Sequence, residues 1–202
     1  MFLRKAFLAT CCASALATAL PTFAADTRQF PSEQGSITAT PIVTGLDHPW
    51  AVAFLPDKQG FLVTERPGAL RFVSADGKLS APLSGVPQVW AKGQGGLLDV
   101  VLSPDFKEDR LVYLSYAEGG GEGGKAGTAV GRGRLSDDLS GLKDFQVILR
   151  QEPKLCTSNH FGSRLVFDRD GYLFVTLGEN NDRSTAQDLD KLQGKVVRIY
   201  PD

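Results

Sequence analysis

From Pro41 onward the chain alternates short apolar runs with Gly, Pro and Asp, and no segment holds a helical period beyond two turns. Runs such as Ala51-Val52-Ala53-Phe54, Phe61-Leu62-Val63-Thr64 and Leu173-Phe174-Val175-Thr176 have the length and β-branched content of strands. Thr185 to Leu192 is the one stretch with room for one or two helical turns. Gly119 to Gly133 lacks the strand, spacing and helix of a phosphate cradle, and reads as a mobile hairpin loop between strands at Val112–Tyr116 and Val130–Leu135.

The runs repeat. Ala51 to Asp57, Asp99 to Asp105 and Arg164 to Asp170 each give a strand and an Asp turn. Each is followed by a second strand, starting near Phe61, Leu111 and Tyr172. A third strand recurs at Leu70–Val73 and Val196–Ile199. The turn residues Asp57, Asp105 and Asp170 are 48 and 65 positions apart, an interval that brackets one propeller blade when insertions are allowed. An all-β fold of the β-propeller kind is therefore expected over residues 41–202. At about 40–50 residues per blade, residues 25–202 supply three to four blades. That reads as the N-terminal part of a longer propeller.

Before this pattern comes a different one. Arg4 and Lys5 precede an apolar, Ala-rich run from Ala6 to Leu20, Pro21 breaks it, and Thr22-Phe23-Ala24 offers small residues to a signal peptidase. The run is too short and too polar for a spanning helix, so residues 1–24 read as a secretory signal without a membrane anchor, and the location as periplasmic or secreted. Residues 25–40 are polar and unpatterned, which predicts a flexible lead-in. Without the leader the charge is 20 basic against 23 acidic residues, a net of −3. That balance carries no electrostatic footprint for nucleic acid. Cys11 and Cys12 leave with the leader, so Cys156 has no partner for an internal disulfide.

The chain has two histidines. His160 lies in the loop Asn159-His160-Phe161-Gly162-Ser163-Arg164, directly before a strand, where a rigid β-scaffold can present a general base. A lone histidine there is also commonly a hydrogen-bonded loop residue. His48, before Pro49, reads as structural, and Trp50 and Trp90 read as blade packing. On the residues alone, Gly93-Gln94-Gly95-Gly96 reads as a strand-entry turn.

Several motifs together resemble one family. They are Leu46-Asp47-His48-Pro49-Trp50 through Asp57, Leu62-Val63-Thr64-Glu65-Arg66, Gly93 through Asp99, and His160 through Leu165. Thr176-Leu177-Gly178-Glu179, Ala186-Gln187-Asp188-Leu189 and Gly194 through Ile199 complete the set. In this order they resemble the soluble quinoprotein aldose dehydrogenases of the glucose/sorbosone dehydrogenase family. The resemblance implies a six-bladed propeller with pyrroloquinoline quinone (PQQ) over one end of the channel, and Ca2+ both under the cofactor and in a structural role. It implies oxidation of an aldose sugar to a lactone, with electrons passed to an external acceptor. His160 matches the general base, and Glu179 an acidic residue near it. Gln94, Asn159 and Arg164 fall at positions for substrate and cofactor binding, and Gly93, Gly95 and Gly96 would let backbone approach the flat cofactor. The calcium ligands and most of the basic residues that clamp the quinone are expected beyond Asp202.

Two other readings stand beside this one. A propeller lactonase would need carboxylates and an Asn on one metal, for which Asp99, Glu179 and Asn180 are candidates. A non-catalytic propeller fragment is the third. The leader makes a direct prediction: cleavage follows Ala24, and mass spectrometry of exported protein finds Ala25 at the N-terminus. A mature chain that still begins at Met1 would contradict export by this route.

Overall fold

A computed structural model describes residues 27–120 and 122–201. The leader lies outside these residues. The chain divides into Met1–Thr40 and Pro41–Asp202. In the first unit β1 (Arg28–Ser32) and β2 (Gly35–Ala39) pair antiparallel around a tight turn, with Phe30 opposite Ile37. The expected flexible lead-in is therefore a hairpin. Its sequence hid this because Phe30 and Ile37 are its main apolar residues and both are half-exposed, so no burial pattern marks it.

The second unit contains three antiparallel sheets in chain order. The first is β3 (Pro49–Phe54), β4 (Gly60–Glu65) and β5 (Ala69–Ser74). The second runs through β6 (Leu97–Leu102), β7 (Leu111–Gly119), β8 (Lys125–Leu135) and β9 (Leu142–Arg150), with β10 (Leu155–Cys156) also on β8. The third is β11 (Gly162–Phe167), β12 (Leu173–Leu177) and β13 (Val196–Ile199). The first strands β3, β6 and β11 lie against one another, which is the blade arrangement of a β-propeller. A short α-helical turn, α1 (Phe106–Asp109), links β6 to β7. The helical expectation near Thr185 is met by a 3-10 turn at Arg183–Gln187. The glycine-rich loop is shorter than expected, because β7 and β8 continue to Gly119 and from Lys125, with Gly119 paired to Ala126.

Packing explains the hydrophobic pattern. On β7, Val112, Leu114 and Tyr116 face a core shared with Leu62, Leu70 and Leu97 of the first two sheets. Tyr113, on the other face, joins Leu165, Leu173 and Val175 of the third. The middle sheet is thus buried on both faces and reads as a continuous apolar run. Burial also holds the Tyr116 hydroxyl's pKa up at about 12, with the nearby Glu118 charge adding to it. On β3 only Ala51 and Ala53 face this core, while Trp50, Val52 and Phe54 alternate onto the other face. Trp50 is 46% exposed on that face, which none of these three sheets covers.

Each first strand starts with the same irregularity. The pairing register shifts between Pro49 and Val52, between Leu97 and Val100, and between Gly162 and Leu165. Such bulges leave backbone groups without ladder partners. One hydroxyl on each second strand takes them up. Thr64 Oγ1 accepts from Ala51 N–H (3.0 Å) and donates to Leu98 O in the next sheet (2.6 Å). Ser115 Oγ accepts from Asp99 N–H (3.0 Å) and donates to Ser163 O in the next (2.7 Å). Thr176 Oγ1 accepts from Arg164 N–H in its turn (2.9 Å). Thr64 and Ser115 are fully buried, so these bonds stand in for water that cannot reach the bulges.

Ser115→Ala would strand both Asp99 N–H and Ser163 O. It is expected to destabilise the full-length protein by about 1–3 kcal/mol, the usual cost of an unsatisfied buried polar group. Ser115→Thr, the residue type at the two equivalent positions, is expected to recover more than half of that. Urea unfolding midpoints check both, and equal losses in the two variants would contradict the hydroxyl role.

Candidate active site

The third bulge leads directly to the histidine. His160 lies two residues before Gly162, Glu179 lies two after Leu177, and Gly162 pairs with Leu177 across the β11–β12 hairpin. The register therefore sets His160 opposite Glu179, and His160 Nδ1 hydrogen-bonds Glu179 Oε1. The carboxylate accepts, so in the neutral imidazole Nδ1 carries the proton and Nε2 is left with its lone pair. The imidazole is 44% exposed and the carboxylate side chain 23%. The His160 hydrogen bond is the main cause holding the Glu179 carboxyl below its ordinary value.

His160 has φ +53°, a left-handed conformation uncommon outside glycine. Side chains from elsewhere hold it there. Gln94 Oε1 accepts from His160 N–H at 2.9 Å. Asn180 Nδ2 donates to His160 O at 3.1 Å and to Asn159 O at 3.2 Å. Thr128 Oγ1 donates to Phe161 O at 2.5 Å. Gln151 Nε2 donates to Gly178 O at 2.6 Å, beneath the loop. A side chain at Gly178 is excluded, since a Cβ there would sit 1.7 Å from His160 O. Of the four polar groups of His160, N–H, C=O and Nδ1 are engaged. Among the described residues Nε2 has no partner.

The expected site residues divide accordingly. His160, Glu179 and Gln94 come together. Gln94 reaches the loop from the stretch before β6: its carboxamide oxygen holds His160, its backbone N–H bonds Ser158 O at 2.7 Å, and its carboxamide NH2 has no partner among the described residues. Asn159 contributes its carbonyl to the same loop, with Asn180 Nδ2 and Thr157 Oγ1 as donors. Arg164 faces elsewhere: its guanidinium bonds Asp99 Oδ1 at 2.8 Å, while Leu165 N–H bonds Asp99 Oδ2 at 2.7 Å. Gly93 admits backbone packing within the protein, since a Cβ there would lie 2.4 Å from Ser158 O. The tight approach expected for a flat cofactor is filled at that position by the 158 loop. His48 is exposed, with Nδ1 on Asp47 and its carbonyl accepting from Arg66 N–H at 3.0 Å. Trp90 packs with Leu98, Ala117, Ala126 and Phe161, below the histidine loop.

The metal-ligand set needed for hydrolysis does not assemble. Asp99 is committed to Arg164 and Leu165, Glu179 to His160, and Asn180 to the loop carbonyls. Among the described residues no three or more His, Cys, Asp or Glu group as a metal site. Ser115, Thr128 and Gln151 were absent from the sequence reading of the site. The sequence signal at Ser115 is a polar residue inside an apolar strand run, Leu-Val-Tyr-Leu-Ser, whereas Gln151, between Arg150 and Glu152, carries none.

Residues 46–202 match the family described as Glucose / Sorbosone dehydrogenase. The chain is 69% identical over 154 residues to the aldose sugar dehydrogenase YliI of Escherichia coli (strain K12), covering 76% of this chain and 41% of that protein. The crystal structure of the soluble E. coli aldose sugar dehydrogenase in its apo form superposes with a TM-score of 0.75 at 68% identity, over 77% of this chain and 45% of that one. The PQQ-bound aldose sugar dehydrogenase of Streptomyces coelicolor superposes with a TM-score of 0.70 at 31% identity, over 79% and 46%. The chain thus spans less than half the length of each of these proteins.

The Glu179–His160 bond has a pH signature. A carboxyl whose folded pKa is depressed stabilises the fold fully above its ordinary value, here 4.5. That stabilisation is lost as the pH falls from there through the lower folded value. Glu179→Gln is therefore expected to melt below wild type at about pH 5 by a margin that closes in stronger acid. Thermal melts across pH check this, and a margin independent of pH would contradict it.

Proposed function

Because the chain belongs to the glucose/sorbosone dehydrogenase family, we propose that the whole protein is a PQQ-dependent dehydrogenase oxidising the anomeric hydroxyl of aldoses to lactones. The observation that carries this reading is His160, held at three of its four polar groups and free at Nε2. Nε2 takes the proton of the anomeric hydroxyl as hydride leaves the same carbon, and the sugar's C–O bond becomes the lactone carbonyl. Glu179 keeps the accepting nitrogen outward and balances the imidazolium that forms. When bound, the quinone would supply the electron-poor carbonyl that takes the hydride and would hand the electrons to an external acceptor.

The residues present fit an anionic, oxygen-rich quinone. The exposed Gln94 offers an unused NH2, and the exposed Lys92 ammonium stands 4.4 Å from the Trp90 ring centroid, two residues along the chain from Gln94. Gln94 would hold a quinone oxygen or a sugar hydroxyl, and Lys92 would favour the carboxylates. For Ca2+, the described residues hold no group of three or more His, Cys, Asp or Glu side chains. The leader supports a periplasmic or secreted enzyme.

The test is dye-linked aldose oxidation by the full-length, quinone-reconstituted protein across pH. His160→Ala is expected to lower turnover by about 10²- to 10⁴-fold with quinone binding retained. It should also remove the rise in rate that accompanies loss of the imidazole proton. Gln94→Ala is expected to be milder, since an uncharged hydrogen bond contributes about 0.5–1.5 kcal/mol. A His160→Ala enzyme with most of its turnover and the same pH profile would overturn the reading.

A further inference from the structure

We propose that Asn180 is a positioning residue for His160, a role whose kinetic consequence rests on the function proposed above. Asn180 follows Glu179 directly, so consecutive residues hold the two ends of one histidine: Glu179 the ring, Asn180 the backbone. Asn180 does so twice, and holds the preceding carbonyl as well. Its backbone N–H donates to His160 O at 3.3 Å, and its carboxamide NH2 bridges His160 O and Asn159 O. The side chain is 3% exposed, so no water substitutes for it.

The choice of residue follows from two demands. Asn180 has φ +54°, in the left-handed region, and Asn is among the few non-glycine residues that enter it readily. The site also needs N–H donors for two carbonyls. Glycine meets the first demand without the second. Aspartate matches the shape but presents acceptors to acceptors. Asparagine meets both, although Asn180 Oδ1 is left buried with no partner among the described residues. An unsatisfied buried amide oxygen carries a cost that native folds seldom accept, and such costs concentrate at functional sites. Here it accompanies the fixing of His160 O, whose position sets the left-handed turn and so the direction of Nε2.

The test compares wild type, Asn180→Gly and Asn180→Asp in the full-length holoenzyme. Asn180→Gly keeps the backbone conformation and its N–H and removes only the carboxamide. It is expected to keep quinone affinity and the aldose KM within about twofold, while kcat falls by about 10²-fold, as a misplacement on the ångström scale can cause. A second readout needs no turnover. In ¹⁵N–¹H spectra the His160 imidazole, assigned by its loss in His160→Ala, is expected as the Nδ1–H tautomer in wild type and as an exchange average in Asn180→Gly. Asn180→Asp should match or exceed the glycine variant in both readouts. If it does not fold, the glycine variant decides. Wild-type kcat in Asn180→Gly overturns the proposal, and so does a lowered kcat with an unchanged imidazole spectrum. Should His160→Ala prove active, the proposed function falls, while the imidazole spectrum still decides whether Asn180 positions the ring.

Discussion

Adjacent antiparallel sheets packed face to face share no ladder, so beyond isolated backbone bonds such as Leu97 N–H to Arg66 O (3.0 Å), side chains fix one against the next. At both junctions between the sheets a buried hydroxyl takes part in that task. Thr64 and Ser115 each close the bulge at the start of their own sheet's first strand and then donate across to the bulge of the next. The device works because the bulge frees one N–H and one carbonyl in the same place, and a hydroxyl can accept from the first while donating to the second. Hydrophobic packing supplies most of the attraction between sheets, but it is tolerant of small slides. The buried hydroxyls are not tolerant, since a slide of an ångström leaves two polar groups without water or partner.

The histidine inherits this precision. Ser163, whose carbonyl Ser115 holds, lies three residues beyond His160, and Thr128 and Gln94 reach the same loop from in and beside the second sheet. Glu179 and Asn180 close it from the third. The left-handed backbone at His160 is therefore imposed from outside its own strand. A histidine on a free loop could find the same ring orientation, but only as one member of an ensemble. Holding it in advance moves the cost of ordering from the reaction to folding.

Much of this was legible in the chain. The apolar runs gave the strands, and their repetition gave a propeller, because a strand buried on both faces and its turn residues leave direct marks in sequence. The ends Phe-Leu-Val-Thr64 and Leu-Phe-Val-Thr176 were visible as part of the repeat. Their meaning was not, since a threonine in a strand is ordinary by propensity. Gln94, His160 and Glu179 stood out by motif. The pairing of the last two depends on a hairpin register that is set by a bulge, and a bulge shifts it without a fixed sequence sign. Arg164 misled because an arginine beside a histidine suggests a ligand, whereas its partner Asp99 is 65 positions away and buried. The hairpin at residues 28–39 left no hydrophobic mark to read.

The central claim is that the fold sets His160 Nε2 where a sugar's anomeric hydroxyl arrives. A crystal structure of the full-length protein with quinone and an aldose bound tests it most directly. The account expects the anomeric oxygen within about 2.6–3.2 Å of Nε2, with Glu179 still on Nδ1. A sugar seated with that oxygen on another group, and His160 Nε2 out of hydrogen-bond reach, would contradict it.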